Sequence, residues 1–224
     1  MNGRMNLRSV VSMALYPVFA LLVAAFTTTS QPPVAKDAAR EAIPPRIAER
    51  YAAVSTEPFA IAGVPADELR GEYVRQVVRY DTGEQPGTVV IDPRNRFLYL
   101  VMEGGKALRY GVGVGKAGLE FTGTATVGRK AEWPRWTPTE NMIQREPERY
   151  GKWARGMEGG SDNPLGPRAL YLFKGGKDTL YRIHGTTEPW TIGKAVSSGC
   201  IRMLNQDVMD LYSRVPKGTK VVVR

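Results

Sequence analysis

RFLYLVM, residues 96–102, alternates: in an extended chain Phe97, Tyr99 and Val101 face one way and Leu98, Leu100 and Met102 the other. A period of two in a short run of aromatic and aliphatic side chains predicts a β-strand. The signature recurs on either side. EYVRQVVRY and GTVVID precede it, and ALRYGVGVG, TATVG, ALYLF, LYRIHG and KVVVR follow. Each is short, rich in Val, Tyr and Leu, and bounded by Gly, Pro or Asp. Such strands across residues 71–224 predict one mainly β domain, a sandwich or barrel. One C-terminal helix is expected in LNQDVMDLYSRVPKG, where Leu204, Val208, Leu211, Tyr212 and Val215 fall at helical spacing. Asn205 would cap it, Pro216 and Gly218 would stop it, and it would start just after Cys200.

Upstream of the strands the composition changes twice. Residues 1–10 carry Arg4 and Arg8 and no acid, residues 11–26 are apolar, and TTTSQPP follows with small residues and turn formers. That order predicts a secretory signal over residues 1–30, cut after Thr27 or Ser30. The apolar run is interrupted by Pro17 and is shorter than the roughly 20 residues of a membrane span. No cysteine follows it to carry a lipid. Residues 31–70 mix Ala, Pro and charge, and Pro44-Pro45 breaks any helix begun at Asp37–Ile43. They read as a tether without a packed core. Residues 142–167, rich in Gly and Pro and barely patterned, are expected to form a lid over a groove.

The net charge of +9 falls by two when Arg4 and Arg8 leave with the signal. In an exported chain a basic surface suits anionic cell-envelope polymers or carboxylate-bearing substrates rather than nucleic acid. The chain holds one cysteine, Cys200, and one histidine, His184. A single thiol forms no internal disulfide, and one Cys with one His falls short of a structural zinc site, so neither metal nor cofactor is expected. Either residue alone would pass as an ordinary packed side chain. Together, each flanked by glycine and only sixteen positions apart, they suggest a nucleophile and its base. His184 would end a strand. Cys200 would lie in the turn before the helix, whose positive end and backbone amides would lower the thiol pKa and face an oxyanion. Gly199 would let a substrate carbonyl approach closely.

RIHGTTEPWTIGKAVSSGCIRM, residues 182–203, resembles the signature of the L,D-transpeptidase catalytic domain, the YkuD-like family of bacterial cell-wall enzymes. That signature is His-Gly, a spacer, Ser/Thr-His-Gly-Cys, then an apolar residue and Asn or Arg. GTVVIDPRNRFLYLVMEGGKALRYGVGVGK is similar to the family's opening strands, and FTGTATVGRK and DNPLGPRALYLF to its middle section, so the likeness runs over residues 72–224. It implies a mainly β fold, with Cys200 as nucleophile and His184 as proton acceptor. The Gly185 carbonyl would orient the imidazole, and the Gly199 and Cys200 amides would form the oxyanion hole. Ser197 stands at the Ser/Thr position. Arg202, with Arg182 or Lys194, would meet substrate carboxylates, and Trp190, Trp133, Trp136 and Trp153 would line the groove. Ser198 stands where the family has its second histidine, so His184 carries the base role alone and Ser198 keeps a hydrogen-bonding hydroxyl. The implied substrates are peptidoglycan stem peptides. The acceptor would be a second stem, water, or a lysine of an outer-membrane protein, and the expected location is the periplasm or cell envelope. A non-catalytic wall-binding module is the contrasting reading.

Overall fold

The computed structural model describes residues 43–116 and 121–224. The expected signal segment and residues 31–42 of the expected tether lie outside the described residues. Helix α1 (Pro45–Ala48) opens on a proline at its first position and runs into a 3-10 turn. Strands β1 (Gln76–Arg79), β2 (Val89–Asp92), β3 (Phe97–Met102), β4 (Lys106–Gly111), β5 (Val114–Gly115) and β6 (Gly123–Glu132) follow. Two short helices, α2 (Glu140–Arg145) and α3 (Pro147–Tyr150), precede β7 (Arg168–Lys174) and β8 (Lys177–His184). The chain continues through β9 (Ala195–Ser197), β10 (Ile201–Arg202), α4 (Asn205–Arg214) and β11 (Lys220–Val223).

Nine strands form one mixed sheet in the order β1-β4-β3-β2-β11-β6-β7-β8-β10, and β5 pairs with β9 in a small second sheet. The domain is therefore mainly β with few short helices, as the alternating strands predict. Hairpins join β3 to β4 and β7 to β8 through Gly104-Gly105 and Gly175-Gly176, all four at positive φ. Two consecutive left-handed residues match the right-handed twist of the flanking strands, and glycine adopts them without a Cβ clash. The centre reads differently. Val89, Val90 and Ile91 are all fully buried, and β2 pairs in parallel with β11. An apolar run without alternation is what a strand covered on both faces requires.

The core draws on Ile91, Leu98, Tyr110, Val127, Leu170 and Ile183 from the sheet. Val208 and Leu211 supply the inward stripe of α4, with Val215 buried at its C-cap, and the helix packs on β7 and β8. Each such side chain contributes about 1.5–3 kcal/mol by leaving water.

The described part of residues 31–70 is not a bare tether. Tyr51 is 1% exposed and joins Leu69, Val74, Ile192 and Leu204 in a second core cluster. Gln206 of α4 donates to the carbonyls of Tyr51, Ala52 and Ala62 at 3.3, 3.1 and 3.1 Å. The side chains that bury here are scattered one at a time, so no period announces them.

Candidate active site

His184 is the last residue of β8, and its ring is 5% exposed. Parallel pairing sets Ile201 opposite Ile183 and Arg202 opposite His184, so Cys200 enters β10 directly beside the end of β8. Both side chains line one cleft of about 920 Å³, with the thiol half-buried. Imidazole Nδ1 lies 2.6 Å from the Gly185 carbonyl oxygen. That oxygen can only accept, which assigns the proton to Nδ1 and leaves Nε2 as the basic nitrogen. Burial, helped by the Arg202 and Arg182 charges, pushes the His184 pKa down to about 3 against the pull of the Gly185 and Pro164 carbonyls. The imidazole is therefore neutral throughout the physiological range.

The thiol departs from expectation. Helix α4 begins at Asn205, with β10 between it and Cys200 in the chain, rather than directly after the cysteine. Sγ lies 3.9 Å from the Leu180 carbonyl. Leu180 is in the left-handed region at φ 64, where β7 and β8 lose register. Asp178 fastens this irregularity, accepting from the Leu180 amide and from both terminal nitrogens of Arg182. Burial raises the thiol pKa above its ordinary value, and the Arg182 amide and the Arg182 and Arg202 charges only partly oppose it. The expected lowering is thus reversed. Among the described residues no hydrogen bond joins Sγ to His184, although the two share the cleft.

The other predicted residues divide. Ser197 is buried, donates to the Cys200 carbonyl at 2.7 Å and accepts from the Gly199 amide at 3.2 Å. It closes the turn from the cleft wall, and the Gly199 amide that it engages is not free for an oxyanion as expected. Gly199 takes a φ of 122 that favours glycine, and its Cα packs so close to Gly115 that a Cβ added there would lie 2.7 Å away. Arg202 also lines the cleft but is paired with Glu188 at 2.7 Å. Trp190 is 55% exposed at the rim, and Trp136, Trp153 and Lys194 line the wall. Trp133 instead donates to Glu57 away from this cleft. Arg182 is held by Asp178 and lies over the Tyr171 ring. Ser198 accepts from Arg145 Nη2 at 3.3 Å.

Residues 142–167 do border the cleft, but they open with the end of α2 and with α3 rather than as an unpatterned loop. Thr139 caps α2 by accepting from the Met142 amide. Asn163 ties the loop, donating to the carbonyls of Pro134, Met157 and Glu158 and accepting from the Leu165 amide. Asn205 does not cap α4; its side chain accepts from the Thr186 amide at 2.8 Å and holds the backbone just beyond His184. An asparagine at a helix start has the same sequence signal for either use. Asn163 carried only the turn signal of DNPLGP.

The family profile described as the YkuD L,D-transpeptidase catalytic domain matches residues 86–223. The "Probable L,D-transpeptidase ErfK/SrfK" of Escherichia coli K12 is 36% identical over 66% of this chain and 47% of its own length. The "Probable L,D-transpeptidase YbiS" of the same strain is 33% identical over the same shares. The chain thus spans about half the length of these curated relatives. A crystal structure from Brucella melitensis, described as a probable carnitine operon oxidoreductase, is 59% identical and covers 68% of this chain and 94% of its own. Its TM-score is 0.48.

Proposed function

The chain belongs to the YkuD L,D-transpeptidase catalytic domain family, and from that membership we propose that it is an exported peptidoglycan L,D-transpeptidase with Cys200 as nucleophile. The observation that carries the reading is the neutral, buried His184, its Nδ1 held by Gly185 and its other nitrogen basic, on the strand beside Cys200. Thiol and imidazole rest as a neutral pair. As a tetrapeptide stem enters, the thiol leaves the Leu180 carbonyl and turns toward the imidazole, which takes its proton during attack on the carbonyl of the third residue. The Cys200 amide is the backbone donor for the oxyanion, because the Gly199 amide is engaged by Ser197. The C–N bond to the terminal D-alanine then breaks, and the imidazolium returns its proton to the departing amine. The amine of a second stem opens the thioester, giving a 3→3 cross-link and the free thiol. The periplasm is the proposed location, from the basic, apolar and small-residue order of residues 1–30.

The test is mass spectrometry of the protein mixed with disaccharide-tetrapeptide. Wild type should gain the mass of the stem less D-alanine and then yield dimers. Cys200→Ala should gain nothing, and His184→Ala should acylate about 10²–10⁴-fold more slowly. Tripeptide without dimers would make the enzyme an L,D-carboxypeptidase, and transfer only to a protein lysine would make it a protein-to-wall ligase. A wild type that never acylates would overturn the enzymatic reading in favour of a wall-binding module.

A further inference from the structure

Three guanidinium groups reach the cleft from α2, α3 and β10, and they are not equivalent. Arg202 pairs with Glu188 at 2.7 Å. Arg149 lies 3.7 Å from the same Glu188 and 3.3 Å from Glu146. These two positive charges are answered by protein carboxylates, including Arg202, which the sequence had marked for substrate. Arg145 is answered by none among the described residues. Its Nε donates to the Asn141 carbonyl and its Nη2 to the Ser198 hydroxyl, both at 3.3 Å. A neutral hydroxyl is a weak partner for a planar fork of donors that fits a carboxylate with two parallel bonds.

We propose that Arg145 is the subsite for the free terminal carboxylate of the acyl donor, a proposal that rests on the acyl-transfer reading above. Ser198 stands two residues before Cys200, so the guanidinium hangs over the chain next to the nucleophile. In a peptide cut at its last bond, the terminal carboxylate carbon is three bonds from the attacked carbonyl carbon, at most about 3.7 Å away. A cation that reads this carboxylate must therefore sit close to the sulfur, and Arg145 is the unneutralised guanidinium placed there. The anion would displace Ser198 Oγ and take Nη2 together with a second N–H. Because α2 has no buried residue, the helix can follow the guanidinium onto substrate with little loss of packing. The expected specificity is for stems ending in a carboxylate over stems ending in a carboxamide.

The experiment compares a tetrapeptide stem with its C-terminal carboxamide on wild type, Arg145→Gln and Arg145→Lys, following acylation by mass spectrometry over a range of concentrations. Wild type should prefer the carboxylate by about 10–100-fold in kcat/KM, carried mainly by KM. Arg145→Gln should lose that preference, and Arg145→Lys should keep part of it. The same pair of peptides is titrated onto Cys200→Ala with and without Arg145→Gln, which reads the subsite by affinity even if no thioester ever forms. A preference that survives Arg145→Gln in both measurements overturns the assignment. Absence of acylation with an Arg145-dependent affinity difference would sink the chemistry and keep the subsite.

Discussion

At Cys200 the strand geometry of β8 overrides the local sequence. Leu180 turns its carbonyl onto Sγ, and burial raises the thiol pKa, while burial of His184 lowers its pKa to about 3. His184 stays neutral above pH 3, so it imposes no acid limb between pH 5 and 8. The thiolate fraction then grows about tenfold per pH unit until the raised thiol pKa is reached. Iodoacetamide alkylation of the resting protein should therefore be slow below pH 7 and climb steadily from pH 6 to 8. A rate already level at pH 6 would show a thiol of lowered pKa. The pair itself was legible, because each residue occurs once and their flanking glycines mark tight backbone. The protonation of the thiol was not, since it depends on a β8 irregularity at Leu180 that leaves no trace near residue 200.

Among the elements, the segment before β1 is where structure adds most. Glu57 binds Arg168 through both carboxylate oxygens, at 2.9 and 2.7 Å, and also accepts from Trp133 at 2.9 Å. Phe59 packs edge-on against Trp133. Removing the carboxylate strands a nearly buried guanidinium, so Glu57→Ala should destabilise folding by about 3 kcal/mol in urea unfolding and alter Trp133 fluorescence. The Arg168 hydrogen bond holds the Glu57 pKa below the usual carboxylate range. Its contribution is thus complete above that range and is lost as pH falls through the lowered value. An unchanged urea midpoint would make the contact incidental. Periodicity found the long strands because a repeated pattern is buried on one face. It missed β9, β10 and this segment, whose two- or three-residue pairings and solitary anchors have no period to detect.

Over the whole molecule, two buried groups tilt stability in opposite directions. Asp207 is fully buried, accepts from Tyr51 at 3.3 Å and lies 3.9 Å from Arg75. Burial raises its pKa to about 7, against the Arg75 charge and the Tyr51 hydrogen bond. A raised carboxyl stabilises most below its unfolded pKa, and that stabilisation disappears as pH rises through about 7. The lowered His184 acts the other way, with stability falling as pH drops from about 6.5 toward 3. Between pH 4 and 6.5 the two slopes cancel. Asp207→Asn should expose the His184 slope, up to about 1.4 kcal/mol per pH unit, as urea midpoints that rise with pH where wild type stays level. Parallel curves for the two proteins would place the Asp207 pKa elsewhere. The charges of this cluster could be read from the sequence, but not that chain folding would bring Tyr51 and Asp207 together.

The position of β11 has a consequence for how the protein is made. It lies between β2 and β6, so residues 220–223 join a meander built from β1–β4 to one built from β6–β8. A polypeptide made N-terminus first lacks this keystone until every other strand of the sheet has been synthesised. Until then each half presents an edge of unpaired backbone groups. The two halves become one sheet only when β11 pairs with β2 and β6.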